Sequence, residues 1–89
     1  MNQIVYLDEK DTVATTTCIL EAGSQFTLGD QTITAVEEIP FAHKIAVRPM
    51  AKGDQVYKYG EPIGVATSDI AVGQLVHVHN VKSNRGIKQ

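Results

Sequence analysis

Segments rich in valine, isoleucine, threonine and tyrosine alternate with glycine- and aspartate-containing turns along most of the chain. This alternation is typical of many short β-strands joined by tight turns. No segment keeps an apolar stripe with helical periodicity over a useful length, and three prolines interrupt the longest candidates. The sequence therefore predicts a mostly β fold, with strands at residues 4–7, 13–20, 24–28, 31–36, 43–47, 55–57, 62–66 and 75–78.

The turns themselves show a recurring pattern. An apolar residue, two others, a glycine, two others and a second apolar residue occur in that order around Gly23, Gly53 and Gly73. We interpret each as a single helical turn whose glycine is left-handed, so that the chain reverses directly into a strand. Gly29 and Asp30 are predicted at positive φ in a hairpin. A compact, clipped sheet with short helical turns follows.

The size and net charge of the chain limit its possible domain organisation and binding partners. The chain has 89 residues, of which 43% are hydrophobic and 20% charged, as in an ordinary globular domain with one core. We predict a single domain, with a core over residues 11–80 and a tail over residues 81–89. Oligomerisation is a common way to stabilise so small a domain. The formal net charge of −2 creates no field that would attract nucleic acid or a membrane, so neither partner is expected.

The single cysteine, Cys18, excludes an intrachain disulfide. It follows three threonines in a segment that we interpret as a strand, and nothing nearby in sequence would activate its thiol, so a buried core cysteine is predicted. The N-terminal residues show no basic region, long apolar run or cleavage site. A cytoplasmic protein is the expectation.

Histidines are the sharpest candidates for chemistry. If residues 76–80 form a strand, His77 and His79 project from one face with Cα atoms roughly 6.5–7 Å apart, where they could share a divalent ion or a substrate group. A catalytic metal generally needs a third protein ligand, which His43 or another chain would have to supply. The alternative is an exposed polar face opposite a buried valine face, which the spacing alone slightly favours.

Two further segments carry basic groups. His43, Lys44 and Arg48 fall within six residues, and such a cluster can bind a carboxylate. Strand alternation would send His43 to the opposite face from the other two, so a solvated edge strand is an equally good interpretation. Lys58 lies between two tyrosines, an arrangement suited to acid–base chemistry but more often to packing beside a turn.

Three ordered motifs together resemble a known family. They are Ile39-Pro40-Phe41-Ala42-His43-Lys44-Ile45-Ala46, Lys58-Tyr59-Gly60-Glu61-Pro62-Ile63-Gly64-Val65-Ala66 and Gly73-Gln74-Leu75-Val76-His77-Val78-His79-Asn80. At this spacing the chain resembles the SAF domain of the altronate and galactarate dehydratases, a group that includes the sulfolactate sulfo-lyase small subunit. It departs from the family pattern at Ala42, Pro49 and Leu75, where glycine, aspartate and histidine are usual.

The resemblance implies a β-clip domain that takes part in eliminating water from sugar acids. The proton α to the carboxylate and the β-hydroxyl would leave, and iron or another divalent metal would stabilise the enolate-like charge. A larger dehydratase-like subunit would share the metal and supply most of the active site, so this chain would be inactive alone. The matched residues imply catalytic roles for His43, His77 and His79, metal ligation by His77 and His79, and substrate binding by Lys44, Lys58, Tyr59 and Asn80.

Within this resemblance the chain is expected to be a small subunit or a detached N-terminal domain, and Met1 with the polar C-terminus suits a complete small subunit. Two alternatives stay open. One is a non-catalytic SAF module that binds a carbohydrate or a protein partner. The other is the small subunit of a sulfolactate sulfo-lyase, in which the leaving group is sulfite. A homo-oligomer is compatible with each.

Overall fold

The computed structural model describes residues 4–6 and 8–83, and these residues form nine short strands without a helix. They accordingly include no apolar helix of membrane-spanning length. The mostly β fold predicted from the sequence is confirmed. The strands are β1 (Ile4–Val5), β2 (Val13–Thr16), β3 (Gln25–Leu28), β4 (Gln31–Thr34), β5 (Lys44–Ala46), β6 (Gln55–Lys58), β7 (Glu61–Ala66), β8 (Leu75–Val76) and β9 (Val81–Ser83).

The strands form three antiparallel units. The central unit is a four-stranded sheet in the order β1-β2-β5-β8. A hairpin of β3 and β4 forms the second unit, and a sheet in the order β6-β7-β9 forms the third. All eight predicted strands have a counterpart, whereas β9 was not predicted because Val81–Ser83 looked like part of a polar tail. Pairing of β9 with β7 supplies the hydrogen bonds that make it a strand.

The central sheet is apolar on both faces, because successive side chains of a strand point in opposite directions. One face packs with the β3–β4 hairpin, whose Phe26 and Ile33 are buried there. The other face packs with the three-stranded sheet through Val56 and Ala66. Consecutive residues of the central strands therefore belong to different apolar clusters. The cluster on the hairpin side contains Ala14, Ile45 and Leu75, and the cluster on the other side contains Val13, Ala46 and Val76.

The three glycine corners are β-turns and not the helical turns that we predicted. The predicted positive φ is confirmed, at 90°, 94° and 95° for Gly23, Gly53 and Gly73. In each corner the N–H after the glycine donates to the carbonyl three residues earlier, and the glycine N–H donates to the carbonyl of a buried alanine elsewhere in the chain. These bonds fasten the Gly53 and Gly73 corners to β7 and β5, and the Gly23 corner to the residue that follows β4. At Gly73 a Cβ would also collide with the carbonyl oxygen of Thr34.

Two tight hairpins differ in their backbone conformation. In the β3–β4 hairpin, Gly29 has the predicted positive φ, at 63°, but Asp30 does not, so that part of the prediction is wrong. In the β6–β7 hairpin, two consecutive residues are left-handed, Tyr59 at 56° and Gly60 at 78°. Two such residues are the signature of a type I′ turn, whose twist matches that of the flanking strands.

Cys18 is exposed, so the prediction of a buried core cysteine is wrong. The predicted strand over residues 13–20 ends earlier, at Thr16, and the chain bends at residues 17 and 18. The bend breaks the inward and outward alternation on which the prediction depended. Burial resumes at Leu20, which forms an isolated antiparallel bridge with Ile39.

Ala42 has a φ of 62°, in the left-handed region. This conformation costs a non-glycine residue about 1–2 kcal/mol, and the greater freedom of glycine in the unfolded chain offsets about 0.4–1 kcal/mol of any gain. Ala42→Gly is therefore expected to raise the free energy of unfolding by about 0.5–1 kcal/mol in urea denaturation. Ala51→Gly, at an exposed position without positive φ, should lower it. Equal effects of the two substitutions would contradict this explanation.

Candidate active site

An open cavity of about 590 Å³ lies where β5, β6, β7 and β9 meet the segment that follows β8. Its lining includes three of the predicted site residues, Lys44, Lys58 and His77. Glu61 contributes one carboxylate, and apolar side chains of β7 and β9, such as Ile63 and Val81, also line the cavity. Residues that are far apart in the sequence therefore share one surface.

Strand pairing explains how these groups meet. Lys44 is the first residue of β5 and lies opposite Val76 of β8, so His77 follows immediately beside it. On its other side Lys44 pairs with Thr15 of β2. Lys58 is the last residue of β6, just before the type I′ turn. The ends of three strands thus bring two ammonium groups and one imidazole to the same cavity.

The electrostatics of the cavity centre on Lys44, which is half-buried. Burial lowers the pKa of Lys44 because it removes the ammonium group from water, and the positive charge of Lys58 lowers the pKa further. The two lysines therefore lie in an environment where additional negative charge is favourable. A carboxylate entering the cavity would offset both unfavourable effects.

Tyr59 connects the end of β6 to β2 through two side-chain contacts. The Lys58 ammonium nitrogen lies 5.2 Å from the centroid of the Tyr59 ring, within the range of a cation–π contact. The Tyr59 hydroxyl donates a hydrogen bond of 3.0 Å to Thr15 Oγ1, on the strand next to Lys44. In the structure, Tyr59 therefore contacts Lys58 and Thr15 and holds the turn in place. Its predicted contact with substrate stays a prediction.

The histidines pair differently from the sequence prediction. His43 and His77 have ring centroids 5.2 Å apart with the rings tilted by 54°. β8 ends at Val76, and residues 77–80 form a turn in which the His77 carbonyl accepts from two later N–H groups. The predicted strand face shared by His77 and His79 is therefore wrong. His79 is exposed in this turn, and of the three histidines only His77 is among the residues that line the cavity.

Asn80 is buried and shapes the same turn. Its side-chain oxygen accepts from the His77 N–H at 2.9 Å, and its side-chain nitrogen donates to the Leu75 carbonyl at 2.9 Å. Both polar atoms are thus used inside the protein. The predicted role of Asn80 in substrate binding stays a prediction, while the structure gives it a role in holding His77.

Two residues that the sequence analysis singled out, Arg48 and Leu75, do not line the cavity. Arg48 donates to the Tyr6 hydroxyl and to the carbonyls of Glu9 and Asp11, and it does not line the cavity. The three basic groups of its segment therefore do not form one cluster. Leu75, which stands where the family usually has histidine, packs against the apolar cluster on the hairpin side of the central sheet.

Two buried polar residues support the site and were not singled out in the sequence. Asp11 is fully buried, and its carboxylate accepts from the Gly60 N–H at 2.7 Å and from the Asp8 N–H at 3.3 Å. Thr16, which is 2% exposed, holds the loop before His43. Neither belongs to a recognisable motif, since the Gly60 partner of Asp11 and the Pro40 and His43 partners of Thr16 lie more than twenty residues away in sequence.

A divalent metal is implied by the resemblance, so the ligands present in this chain matter. Within residues 4–6 and 8–83, no three histidine, cysteine, aspartate or glutamate side chains lie together in a way that could hold a metal ion. His43 and His77 offer two imidazoles, and a catalytic metal generally needs three protein ligands. The described residues therefore do not form a metal site by themselves.

The clipped antiparallel sheets and the basic cavity define a small all-β domain with an open site at the ends of its strands. The family model of the altronate/galactarate dehydratase SAF domain matches residues 2–84, and the chain belongs to this family. The resemblance inferred from the three motifs is confirmed.

The matched relatives are enzymes of two kinds. Altronate dehydratase of Escherichia coli is 39% identical over 82 residues, and that of Bacillus subtilis is 32% identical over 84 residues. These alignments cover 92% and 94% of this chain but only 17% of each dehydratase. The (2R)-sulfolactate sulfo-lyase subunit alpha of Paracoccus pantotrophus is 45% identical over 56 residues, which cover 63% of this chain and 84% of that subunit.

Proposed function

We propose that this chain is the SAF component of a sugar-acid hydro-lyase, as a small subunit or an N-terminal domain, and that it completes the active site of a larger dehydratase-like chain. The observation that carries the proposal is the lining of one open cavity by Lys44, Lys58 and His77 in a member of the dehydratase SAF family. The chain matches 17% of each altronate dehydratase, so the remainder of the active site would come from the larger chain.

Exposed apolar side chains in and near the cavity support the proposal that a larger chain covers this surface. Val78 is 80% exposed and lines the cavity, and Phe41, in the loop that precedes His43, is 62% exposed. Large apolar groups exposed around a polar site are typical of surfaces that a partner covers. Closure by the larger chain would also exclude water and strengthen the interaction of the lysines with an anion.

The proposed chemistry is elimination of water from a sugar acid. Lys44 and Lys58 would bind the carboxylate and stabilise the negative charge that develops when the α-proton leaves. An imidazole of the His43–His77 pair would accept that proton, the electron pair would form the carbon–carbon double bond, and the β-hydroxyl would leave as water with the proton returned by the imidazolium. A divalent metal, held mainly by the larger chain, would supply Lewis-acid stabilisation of the same charge.

One observation favours a second candidate. The match to the sulfo-lyase subunit alpha covers 84% of that subunit, which is itself a separate small chain. In that case the same carboxylate site would serve (2R)-sulfolactate, and sulfite would leave in place of hydroxide. The cavity is compatible with both substrates because both carry a carboxylate next to the carbon that loses its proton.

Reconstitution tests the proposal. The tagged chain is co-expressed with the large dehydratase-like chain of the same genome, and the purified complex is assayed with altronate, galactarate and (2R)-sulfolactate. Dehydration that requires both chains is the expected result, and the complex is expected in the cytoplasmic fraction. Sulfite release alone would establish the second candidate. Absence of a complex, together with carbohydrate binding by the single chain, would overturn both in favour of a non-catalytic module.

Within that complex, the two neighbouring histidines provide a matched pair of variants. His77→Gln is expected to lower kcat at least about 100-fold, the usual range for loss of a general acid or base. His79→Gln is expected to lower kcat much less, because His79, unlike His77, is not among the residues that line the cavity. Equal losses in the two variants would contradict the assignment of proton transfer to the His43–His77 pair.

A further inference from the structure

The imidazole of His43 has a defined hydrogen-bond partner. Its Nδ1 lies 3.0 Å from the carbonyl oxygen of Phe41. A carbonyl oxygen can only accept, so Nδ1 must carry the proton that forms this bond. When the ring is neutral, its lone pair is then on Nε2, since a neutral imidazole has one donor and one acceptor nitrogen.

A buried threonine holds the loop that presents the Phe41 carbonyl. The hydroxyl of Thr16 donates to the Pro40 carbonyl at 2.7 Å and accepts from the His43 N–H at 3.0 Å. One side chain thereby fixes the loop on both sides of Phe41. The loop also contains Ala42 in the left-handed region, at a φ of 62°, so its shape depends on such external support.

Backbone hydrogen bonds join the same two segments. The Thr16 N–H donates to the His43 carbonyl at 2.8 Å, and the Ala42 N–H donates to the Thr16 carbonyl at 3.1 Å. These bonds do not involve the Thr16 side chain, so loss of its hydroxyl should loosen the loop locally without unpairing the strand. The effect of the hydroxyl can therefore be separated from the effect of the fold.

We infer that Thr16 is a positioning residue that sets the tautomer of His43, so that Nε2 is the ring nitrogen available to accept a proton. The inference about the tautomer depends only on the contacts of Thr16, Phe41 and His43. Its consequence for catalysis rests on the proposed function. In the complex, Nε2 would be the nitrogen through which His43, whose ring lies 5.2 Å from that of the cavity residue His77, takes up a proton within the His43–His77 pair, and the imidazolium would keep its other N–H bonded to the Phe41 carbonyl.

Nitrogen NMR of the intact 15N-labelled chain tests the tautomer directly. Spectra are recorded at about pH 8.5, well above the pKa of about 6.5 that histidine has in model peptides. His43 is expected to show a protonated Nδ1 and an unprotonated Nε2. His79, exposed and in a turn, serves as the internal reference for an unconstrained ring. An unprotonated Nδ1 on His43 in the unmodified chain would overturn the inference.

Two substitutions test the role of the hydroxyl. Thr16→Val has nearly the same shape without the hydroxyl, and it is expected to shift His43 to the mixture of tautomers seen for His79. Thr16→Ser keeps the hydroxyl and is expected to retain the Nδ1–H form, so it rescues the signature even if Thr16→Val loses stability. Nitrogen shifts of His43 that are identical in all three proteins would overturn the inference.

The reconstituted complex distinguishes this inference from the proposed function. If Thr16→Val changes the His43 tautomer and lowers kcat while Thr16→Ser preserves both, the catalytic consequence is supported. If the tautomer changes and turnover of the complex does not, the catalytic role of His43 is overturned, and the role of Thr16 in setting the tautomer is still supported.

Discussion

Lys44→Met is expected to weaken the binding of a sugar-acid carboxylate by about 10- to 100-fold, the range for loss of a hydrogen bond between charged groups. Methionine keeps most of the length and apolar stem of lysine, so the substitution removes the charge with little change in packing. Binding of altronate to the chain or to the complex is measured by calorimetry. Lys52→Met, at an exposed lysine outside the cavity lining, is the matched control and should bind as the unmodified protein does.

The same site predicts a pH dependence. Burial and the charge of Lys58 lower the pKa of Lys44, so its ammonium group is lost at a pH below the ordinary lysine value of 10.5. Carboxylate binding should therefore fall as pH rises through this lowered pKa, and Lys58→Met should move the fall to higher pH. Binding that stays constant up to pH 10.5 would contradict a role for Lys44.

The free energy of unfolding should rise with pH over the same range in which carboxylate binding weakens. Between the lowered pKa of folded Lys44 and the value of 10.5, the unfolded chain binds more protons than the folded chain, so stability rises with pH in this window. Below the window the cost of burying the ammonium group is fully present. Lys44→Met removes that cost and should unfold at an equal or higher urea concentration at neutral pH. A marked loss of stability would show that Lys44 is a structural residue.

Asp11→Ala is expected to lower the free energy of unfolding by about 3 kcal/mol, because a buried carboxylate with two backbone partners is lost. The N–H groups of Gly60 and Asp8 would be left without this acceptor in the folded state. For a domain of this size a loss of 1 kcal/mol lowers Tm by about 4–8 °C. Urea and thermal denaturation of the purified chain measure the effect.

Asp69→Ala is the matched control for this substitution. Asp69 is exposed, and its carboxylate accepts from one backbone N–H, that of Lys52, at 3.0 Å. Its removal should cost about 1 kcal/mol or less. Equal losses for the two variants would show that burial of Asp11 contributes nothing. Because Asp11 holds the turn after Lys58, Asp11→Ala should also weaken carboxylate binding in the fraction of molecules that remain folded.

Local patterns predicted much of the fold. Alternation of β-branched residues and turn residues predicted every strand except β9, and the recurring glycines marked corners where positive φ is observed. The errors arose where a strand ended earlier than the residue pattern indicated. Cys18 was assigned to a strand that bends after Thr16, and His77 and His79 were assigned to a strand that ends at Val76, where Asn80 organises a turn.

The amino-acid sequence by itself determined the class of this protein, because strand periodicity, turn glycines and the three family motifs are local properties of the chain. It also supplied the groups with candidate chemistry, among them His43, Lys44, Lys58 and His77. Only the tertiary structure decided which of them meet. Antiparallel pairing joins strand ends that are distant in sequence. The ring of His77 therefore contacts that of His43 and not that of His79, and the charge that acts on Lys44 is that of Lys58 and not that of Arg48.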